Sequence, residues 1–253
     1  MSAWQETGEQ ASGKNRGATA SLVILHGWGS NSRSFDDVVV RLRAEGIEVI
    51  TFDLPGFGTA QPPVEPWAVD DYVRFVADTL AKQNITRFYL LGHSFGGRVA
   101  IKYAVQFPDQ IAGLILYDAA GIKPPVTLKL RLFRAAATLG RAVPGSFKRF
   151  FRKGLYALAG TRDYYRAKGV MRGTMRNVIV EDLEPFLSLI RARTLILWGD
   201  RDTETPLRDG ELMHRAISGS RFYVQKGGGH SWHKEQPEVF AEAVQSFIKR
   251  DHA

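Results

Sequence analysis

The sequence predicts an α/β fold, with a mostly parallel central sheet and helices on both of its faces. Two observations predict it: apolar runs of strand length alternate with helical patterns, and 253 residues with 44% apolar content suffice for one domain with a large core. The predicted strands are mostly continuous apolar runs, as expected for strands buried on both faces, and lie near residues 22–25, 49–53, 88–91, 114–117, 194–198 and 221–224.

Helical patterns occupy most of the intervals between these strands and the end of the chain. They lie at residues 35–45, 69–83, 98–106, 207–217 and 237–250. The alternation fails once, because residues 122–180 contain no convincing strand and only helix-like segments separated by prolines and glycines. The chain is therefore expected to carry a helical insertion between its fourth and fifth predicted strands.

The turn after the third predicted strand carries the clearest catalytic signal. Gly92-His-Ser-Phe-Gly-Gly97 follows an apolar strand and precedes a helical pattern, which is the setting of a G-x-S-x-G nucleophile elbow. Glycines on both sides of the serine let crowded backbone segments pass. Ser94 is therefore the candidate nucleophile. Since a serine hydroxyl is a weak nucleophile, the hypothesis also requires a histidine base, an acid and oxyanion donors.

Among the six histidines, His230 has the setting of a catalytic base. It follows the last predicted strand and a run of three glycines. Such a loop can bring an imidazole to the carboxyl edge of the sheet, where Ser94 is also expected. His233 is the alternative base, whereas His93, which flanks the serine, has a structural explanation.

The candidate acid follows the fifth predicted strand. This continuous apolar strand breaks into Gly199 and a pair of aspartates, and ligands and catalytic groups collect in loops at the carboxyl ends of parallel strands. We choose Asp202 over Asp200 as the acid. Asp118, after the fourth predicted strand, is the alternative acid on a different strand.

The order Ser94, Asp202, His230 matches the chain order of the α/β-hydrolases, and four segments of this sequence resemble motifs of that superfamily. They are Leu25-His-Gly-Trp-Gly29, Asp53-Leu-Pro-Gly-Phe-Gly58, Gly199-Asp-Arg-Asp202 with Pro206, and Gly229-His230 with Glu235 and Pro237. Together with the elbow they cover most of residues 21–248. The chain resembles carboxylesterases of this superfamily, and its first two segments are similar to those of pimeloyl-carrier-protein methyl ester esterases. It resembles the carbon–carbon hydrolases of ring-cleavage products more broadly.

The resemblance implies a serine hydrolase that cleaves carboxylic esters through an acyl-enzyme, with no metal or organic cofactor. It implies an oxyanion hole made by the backbone N–H groups of Trp28 and Phe95. The side chains of Trp28, Phe95 and Trp232 are expected to contact the substrate, and packing beneath the lid is the alternative role of Trp28. Carbon–carbon bond hydrolases, thioesterases and iminopeptidases share the core motifs and are the alternatives. A small-molecule receptor or binding module is the non-enzyme alternative, although a pure binder has no need for all three triad residues.

In the family, an insertion after the sixth strand of the usual fold commonly forms a helical lid, so residues 122–190 are expected to be a lid on a core of residues 1–121 and 191–253. Fourteen Lys or Arg and one acid lie between residues 122 and 180, so this segment has a net charge of +13. Because the whole chain has a net charge of +8, the remainder carries −5. Three roles are open: a solvated face, recognition of an anionic or carrier-bound acyl group, and contact with anionic lipid.

The remaining features concern partners and location. No nucleic-acid recognition motif accompanies the basic segment, so nucleic acid is not an expected partner. No apolar stretch has the length of a membrane span, and polar residues 1–20 lack the apolar centre of a signal peptide. A cytoplasmic protein without stable membrane insertion is therefore expected. The absence of cysteine excludes disulfides and thiolate metal sites.

Overall fold

A computed structural model describes residues 21–123 and 169–249. Across these residues, six parallel strands form one sheet in the order β2-β1-β3-β4-β5-β6. The strands are β1 (Ser21–Leu25), β2 (Glu48–Thr51), β3 (Phe88–His93), β4 (Ile111–Tyr117), β5 (Thr194–Gly199) and β6 (Arg221–Gln225). All six strands predicted from the sequence are thereby confirmed, with ends that shift by a few residues.

Seven α-helices lie in the described part of the chain. They are α1 (Asp36–Ala44), α2 (Val69–Lys82), α3 (Phe95–Gln106), α4 (Gly169–Val180), α5 (Glu184–Leu187), α6 (Leu207–Ala216) and α7 (Pro237–Lys249). The five helices predicted outside the insertion are confirmed. Short 3₁₀ turns at Ser32–Phe35, Pro108–Gln110 and Trp232–Lys234 complete the connections.

Two apolar layers hold the sheet between the helices. Alternate residues of each strand point to opposite faces, as the pleat requires. In β3, Phe88 and Leu90 join the layer beneath α2, α3 and α6, whereas Tyr89 and Leu91 join the layer beneath α1 and α7. A parallel sheet covered on both faces leaves the loops at the carboxyl ends of its strands as the natural place for a site.

The insertion predicted at residues 122–190 follows β4. Residues 124–168 of this expected lid, with eleven of its fourteen basic side chains, lie outside the described residues. Its described part contains α4 and α5, which return the chain to the core. Among the described residues, no helix has the length and apolarity needed to cross a membrane.

A buried lysine fixes this returning segment to the core. Lys102 of α3 is 4% exposed, and its Nζ lies 2.7 Å from a carboxylate oxygen of Asp70 in α2 and 2.5 Å from one of Glu181, which follows α4. Arg98, also buried in α3, donates to the Glu181 carbonyl at 2.9 Å. The connection between α4 and α5 is thus held to α3 by both its backbone and its side chain.

Candidate active site

The turn between β3 and α3 has the geometry of a nucleophile elbow. Ser94 stands between the strand and the helix with φ 52° and ψ −114°, a backbone conformation that is strained for any residue with a Cβ. Its N–H donates to the Tyr117 carbonyl at 3.1 Å, and its carbonyl accepts from the Ala120 N–H at 2.9 Å. Hydrogen bonds to the end of β4 therefore hold the strained residue in place.

The crowding predicted around the serine is present. A Cβ on Gly96 would lie 2.2 Å from the Leu25 carbonyl oxygen, and one on Gly92 would lie 2.4 Å from the Gly96 carbonyl oxygen. Such separations are shorter than any real contact, and the obstacles are backbone atoms. Glycine is therefore required at both positions for β1, β3 and α3 to pack this closely.

The predicted acid and base are in direct contact. His230 Nδ1 lies 2.7 Å from Asp202 Oδ2, and both side chains are mostly buried. Asp202 accepts three further hydrogen bonds: Oδ1 accepts from the Glu204 and Thr205 amides at 2.7 and 3.0 Å, and Oδ2 accepts from Thr205 Oγ1 at 2.6 Å. Although burial opposes ionisation, these bonds and His230 lower the pKa of Asp202 below its ordinary value. The carboxylate is therefore charged and fixes the imidazole with its Nδ1 protonated.

Ser94 and His230 line the same cleft, together with Trp28, Met171 and Glu204. Among the described residues, no hydrogen bond joins Ser94 Oγ to the imidazole. The Nε2 atom of His230 instead lies 3.4 Å from the exposed Glu204 carboxylate. Catalytic hydrogen bonds are commonly long before substrate binds, so this geometry is compatible with a serine–histidine pair that closes on the substrate.

The alternative acid, Asp118, has a different environment. It is fully buried, its Oδ1 accepts from the Gly199 N–H at 2.8 Å, and its Oδ2 is buried without a hydrogen-bond partner. Burial, reinforced by the nearby charge of Asp202, raises the pKa of Asp118 to about 9. A carboxyl group that is neutral at pH 7 cannot stabilise an imidazolium as a carboxylate does. The structure therefore favours Asp202 as the acid.

The alternative base, His233, uses both of its ring nitrogens in hydrogen bonds to groups other than Ser94. Its Nε2 donates to the Ser34 carbonyl at 3.0 Å, its Nδ1 accepts from Tyr117 Oη at 3.1 Å, and its ring stacks on Phe35. Burial lowers its pKa to about 4, so the ring is neutral. Asp200, the acid not chosen, accepts from the Gly227 N–H at 2.6 Å and supports the glycine turn before His230.

The loop after β1 supports the predicted oxyanion hole. The Phe95 amide begins α3, and neither it nor the Trp28 amide has an acceptor among the hydrogen bonds of the described residues. His26 holds this loop: its Nδ1–H donates to the Gly27 carbonyl at 2.9 Å, and its Nε2 accepts from the Leu54 N–H at 3.0 Å. Burial lowers the pKa of His26, which keeps it in this neutral form.

The three aromatic residues expected to touch substrate are placed differently. Trp28 lines the cleft and packs edge-on against Phe57 and Phe95, with ring centroids 4.8 and 5.3 Å away. The ring of Phe95 is buried beneath it at 3% exposure. Trp232 is fully buried in the layer beneath α1 and α7, against Phe240, and does not line the cleft. The structure thus brings Trp28 to the site and keeps Trp232 in the core.

Three residues of the site were missed by sequence reasoning. The Thr205 hydroxyl, which donates to Asp202 as described, also lies 3.3 Å from His230 Nδ1 and 3.0 Å from the Asp118 carbonyl, an alternative acceptor for its single proton. Its signal is short-range, since a threonine three residues after an aspartate commonly returns a hydrogen bond. Glu204 has no comparable sequence signal. His93, whose Nε2–H donates to the His230 carbonyl at 2.8 Å, depends on a contact between residues 137 apart.

The site also contains a group with metal-ligand atoms. One ligand atom each from His93, Asp118 and His230 lie within 4.8 Å of one another. Each of these residues already uses one polar atom in a hydrogen bond, and protonated Asp118 is a poor ligand. We therefore assign no metal to this group.

Comparisons with known proteins agree with this geometry. A model of the "Alpha/beta hydrolase family" matches residues 22–243. A pimeloyl-[acyl-carrier protein] methyl ester esterase from Neisseria meningitidis is 30% identical, over 92% of this chain and 94% of that protein. An uncharacterized protein from Mycobacterium tuberculosis is 29% identical, over 92% of this chain and 76% of that protein. A solved structure of a bacterial membrane phospholipase A has 27% identity and a TM-score of 0.70, covering 91% of this chain and 79% of that one.

The family match spans most of the chain, and the sheet, elbow and loop order agree with it. The resemblance to pimeloyl-carrier-protein methyl ester esterases, drawn from two loops, is confirmed over the length of the chain. The chain therefore belongs to the alpha/beta hydrolase family of enzymes.

Proposed function

We propose that this protein is a serine esterase that hydrolyses carboxylic esters through an acyl-enzyme on Ser94. His230 is the general base and acid, and Asp202 orients it. The observation that carries the proposal is the 2.7 Å contact between His230 Nδ1 and the Asp202 carboxylate, at a cleft that also holds a strained serine. A strained serine that lines one cleft with a histidine–carboxylate pair is an arrangement suited to acyl transfer.

The reaction proceeds in two steps. Ser94 Oγ attacks the ester carbonyl while His230 Nε2 accepts its proton, and Asp202 stabilises the resulting imidazolium. The imidazolium then gives this proton to the departing alcohol, which leaves an acyl-enzyme. The same histidine next activates water, which releases the acid and regenerates the serine. Each step moves one proton and needs no redox partner.

The backbone amides of Trp28 and Phe95 form the proposed oxyanion hole. Both lack an acceptor among the described hydrogen bonds; Phe95 directly follows Ser94, and Trp28 lines the cleft with it, so both amides are available to a developing negative charge. The loss of one such donor typically costs about 2.7–4 kcal/mol of transition-state stabilisation. The His26 hydrogen bonds hold the first of these amides before substrate arrives.

Ester hydrolysis is favoured over the other reactions of the fold by the named relatives. The Neisseria relative is named a methyl ester esterase and the structural neighbour a phospholipase A, and both of these substrates are carboxylic esters. The Neisseria name also supports an acyl group attached to a carrier protein as the physiological substrate. The basic residues of the predicted insertion would attract an acidic carrier protein, as they would attract other anionic partners.

A fluorophosphonate probe and an ester assay test the proposal together. The probe is expected to label Ser94 in the wild-type protein and not in Ser94→Ala, and p-nitrophenyl ester turnover is expected to disappear in both Ser94→Ala and His230→Ala. His233→Ala is the matched control, because it removes a neighbouring buried imidazole and is expected to keep most of the turnover. Absence of labelling in a folded wild-type protein would instead favour a binding module, and equal losses in the two histidine variants would remove His230 as the base.

A further inference from the structure

We propose that His93, the residue before the nucleophile, is a positioning residue that fixes the catalytic histidine loop to the nucleophile elbow. Its Nε2–H donates to the backbone carbonyl of His230 at 2.8 Å. Since His93 is bonded covalently to Ser94, this hydrogen bond joins the two segments that must meet during proton transfer. The kinetic part of this inference rests on the proposed esterase function, whereas its structural part does not.

The ring of His93 is rigidly held. It is 5% exposed, stacks on Tyr117 at a centroid distance of 4.6 Å and an angle of 24°, and meets Phe35 edge-on at 6.0 Å. A carbonyl only accepts, so Nε2 must carry the proton. A rigid donor adjacent to the nucleophile gives the His230 backbone a fixed distance from Ser94.

The backbone of His230 needs an anchor of this kind, because the Asp200 bond that holds the glycine turn stops short of it. His230 follows three glycines, and glycine is the residue with the greatest backbone freedom. The side-chain bond to Asp202 fixes one nitrogen of the imidazole but leaves the backbone of the loop to be held by other contacts. The His93 hydrogen bond acts on the backbone itself, at the residue that carries the base.

His93 also touches the third part of the site. A Cβ on Gly27, in the oxyanion loop, would lie 3.1 Å from His93 Nδ1 and 3.2 Å from Ser94 Cβ. The Nδ1 edge of the imidazole therefore packs against the oxyanion loop, and its Nε2 edge holds the loop that carries His230. One buried ring sets the distances among nucleophile, base and oxyanion donors.

Three substitutions separate the hydrogen bond from the packing. His93→Gln keeps an amide donor near the position of Nε2, His93→Asn places it near Nδ1 and out of reach, and His93→Phe keeps a ring without a donor. We expect kcat for a p-nitrophenyl ester to fall by up to about 100-fold in the Phe and Asn variants with little change in KM, because a misplacement of about 1 Å costs this much. The Gln variant is expected to recover most of the loss.

His233→Phe is the matched control. It removes an equally buried imidazole whose Nε2–H donates to a different carbonyl, that of Ser34. It is expected to lower the urea unfolding midpoint about as much as His93→Phe but to lower kcat far less. If Gln and Asn at position 93 give equal kcat in folded proteins, or if the His233 control loses as much kcat as His93→Phe, the positioning role is refuted.

Two further readouts separate this inference from the proposed function. Fluorophosphonate labelling of Ser94 in the wild-type protein tests the nucleophile alone. Nitrogen-15 NMR of the histidine rings reports the His93 tautomer whether or not the protein is active, and the expected result is a neutral ring with its proton on Nε2. A proton on Nδ1 instead would overturn the inference even in an active enzyme, whereas an Nε2–H ring in a protein whose Ser94 is unreactive would refute only the esterase.

Discussion

Replacing Asp202 by Asn is expected to remove most activity while leaving the fold intact, and the hydrogen bonds of the acid show why. Oδ1 accepts from two backbone amides, so the Asn oxygen must take that place. The Asn NH₂ then faces Thr205 Oγ1 and His230 Nδ1 in place of Oδ2. Both can accept, since Thr205 can direct its own proton to the Asp118 carbonyl. Every polar group remains paired.

The substitution is expected to lower activity because it changes the tautomer of His230. An NH₂ group opposite Nδ1 forces that nitrogen to accept, so the ring proton moves to Nε2 and the base can no longer take the proton of Ser94. The same exchange in a serine protease triad lowers kcat by about 10⁴-fold, which corresponds to about 5 kcal/mol at 1.36 kcal/mol per decade. We expect a loss of this order for Asp202→Asn in steady-state hydrolysis of a p-nitrophenyl ester at neutral pH.

Asp118→Asn is the matched comparison. Because burial raises the pKa of Asp118 to about 9, the group is already neutral at pH 7, and the Asn oxygen can still accept from the Gly199 N–H. The exchange replaces one neutral group by another, so kcat is expected to stay within about tenfold of wild type. A loss in Asp118→Asn that equals or exceeds that in Asp202→Asn would refute the assignment of the acid.

Three further predictions concern stability, each measured by urea unfolding. The folded protein holds a proton on Asp118 that the unfolded chain releases above its ordinary pKa of 3.8, so wild-type stability falls as the pH rises from about 4 toward 9. The stability of Asp118→Asn relative to wild type should therefore rise over this range, and a constant difference would contradict the raised pKa. Gly96→Ala should lower the free energy of unfolding by about 1–3 kcal/mol or more, because its Cβ would meet a backbone carbonyl at 2.2 Å, whereas Gly229→Ala, with no atom within 4 Å of its Cβ, should change it by less than about 1 kcal/mol; equal effects would refute the crowding. Lys102→Met should lower the free energy of unfolding by about 2 kcal/mol. This is less than the 3–5 kcal/mol lost when a fully buried pair is broken, because both partners, Asp70 and Glu181, are partly exposed. An unchanged free energy would show that the ion pairs do not hold the segment after α4 to the core.

The fold and the central residues of the site could be predicted because their signals are local. Each strand is a short apolar run, and the elbow is a single stretch in which two glycines flank Ser94 at the junction of a strand and a helix. The order of Ser94, Asp202 and His230 along the chain then matches one fold among several with the same triad. Parallel strands bring their carboxyl ends to one edge of the sheet, so the sequence alone predicts that these three positions lie at one cleft.

The features of the site that could not be predicted from the sequence depend on contacts between residues far apart in the chain. Asp118 and Asp202 both follow buried strands, and only the three-dimensional arrangement shows that one is desolvated and neutral while the other receives four hydrogen bonds. Trp232, two residues after His230, points into the core because the 3₁₀ turn that it begins directs it toward Phe240. The donor role of His93 requires a carbonyl 137 residues away.

The acyl-enzyme is the central claim, and its direct observation is the sharpest test. The wild-type protein would be mixed with p-nitrophenyl acetate, quenched in acid at short times, digested and analysed by mass spectrometry. The account predicts an acetyl group on the peptide that contains Ser94, accumulating when deacylation is slow and absent in Ser94→Ala. Ester hydrolysis that continues in the folded Ser94→Ala protein, with no acetylated peptide in the wild type, would contradict the account.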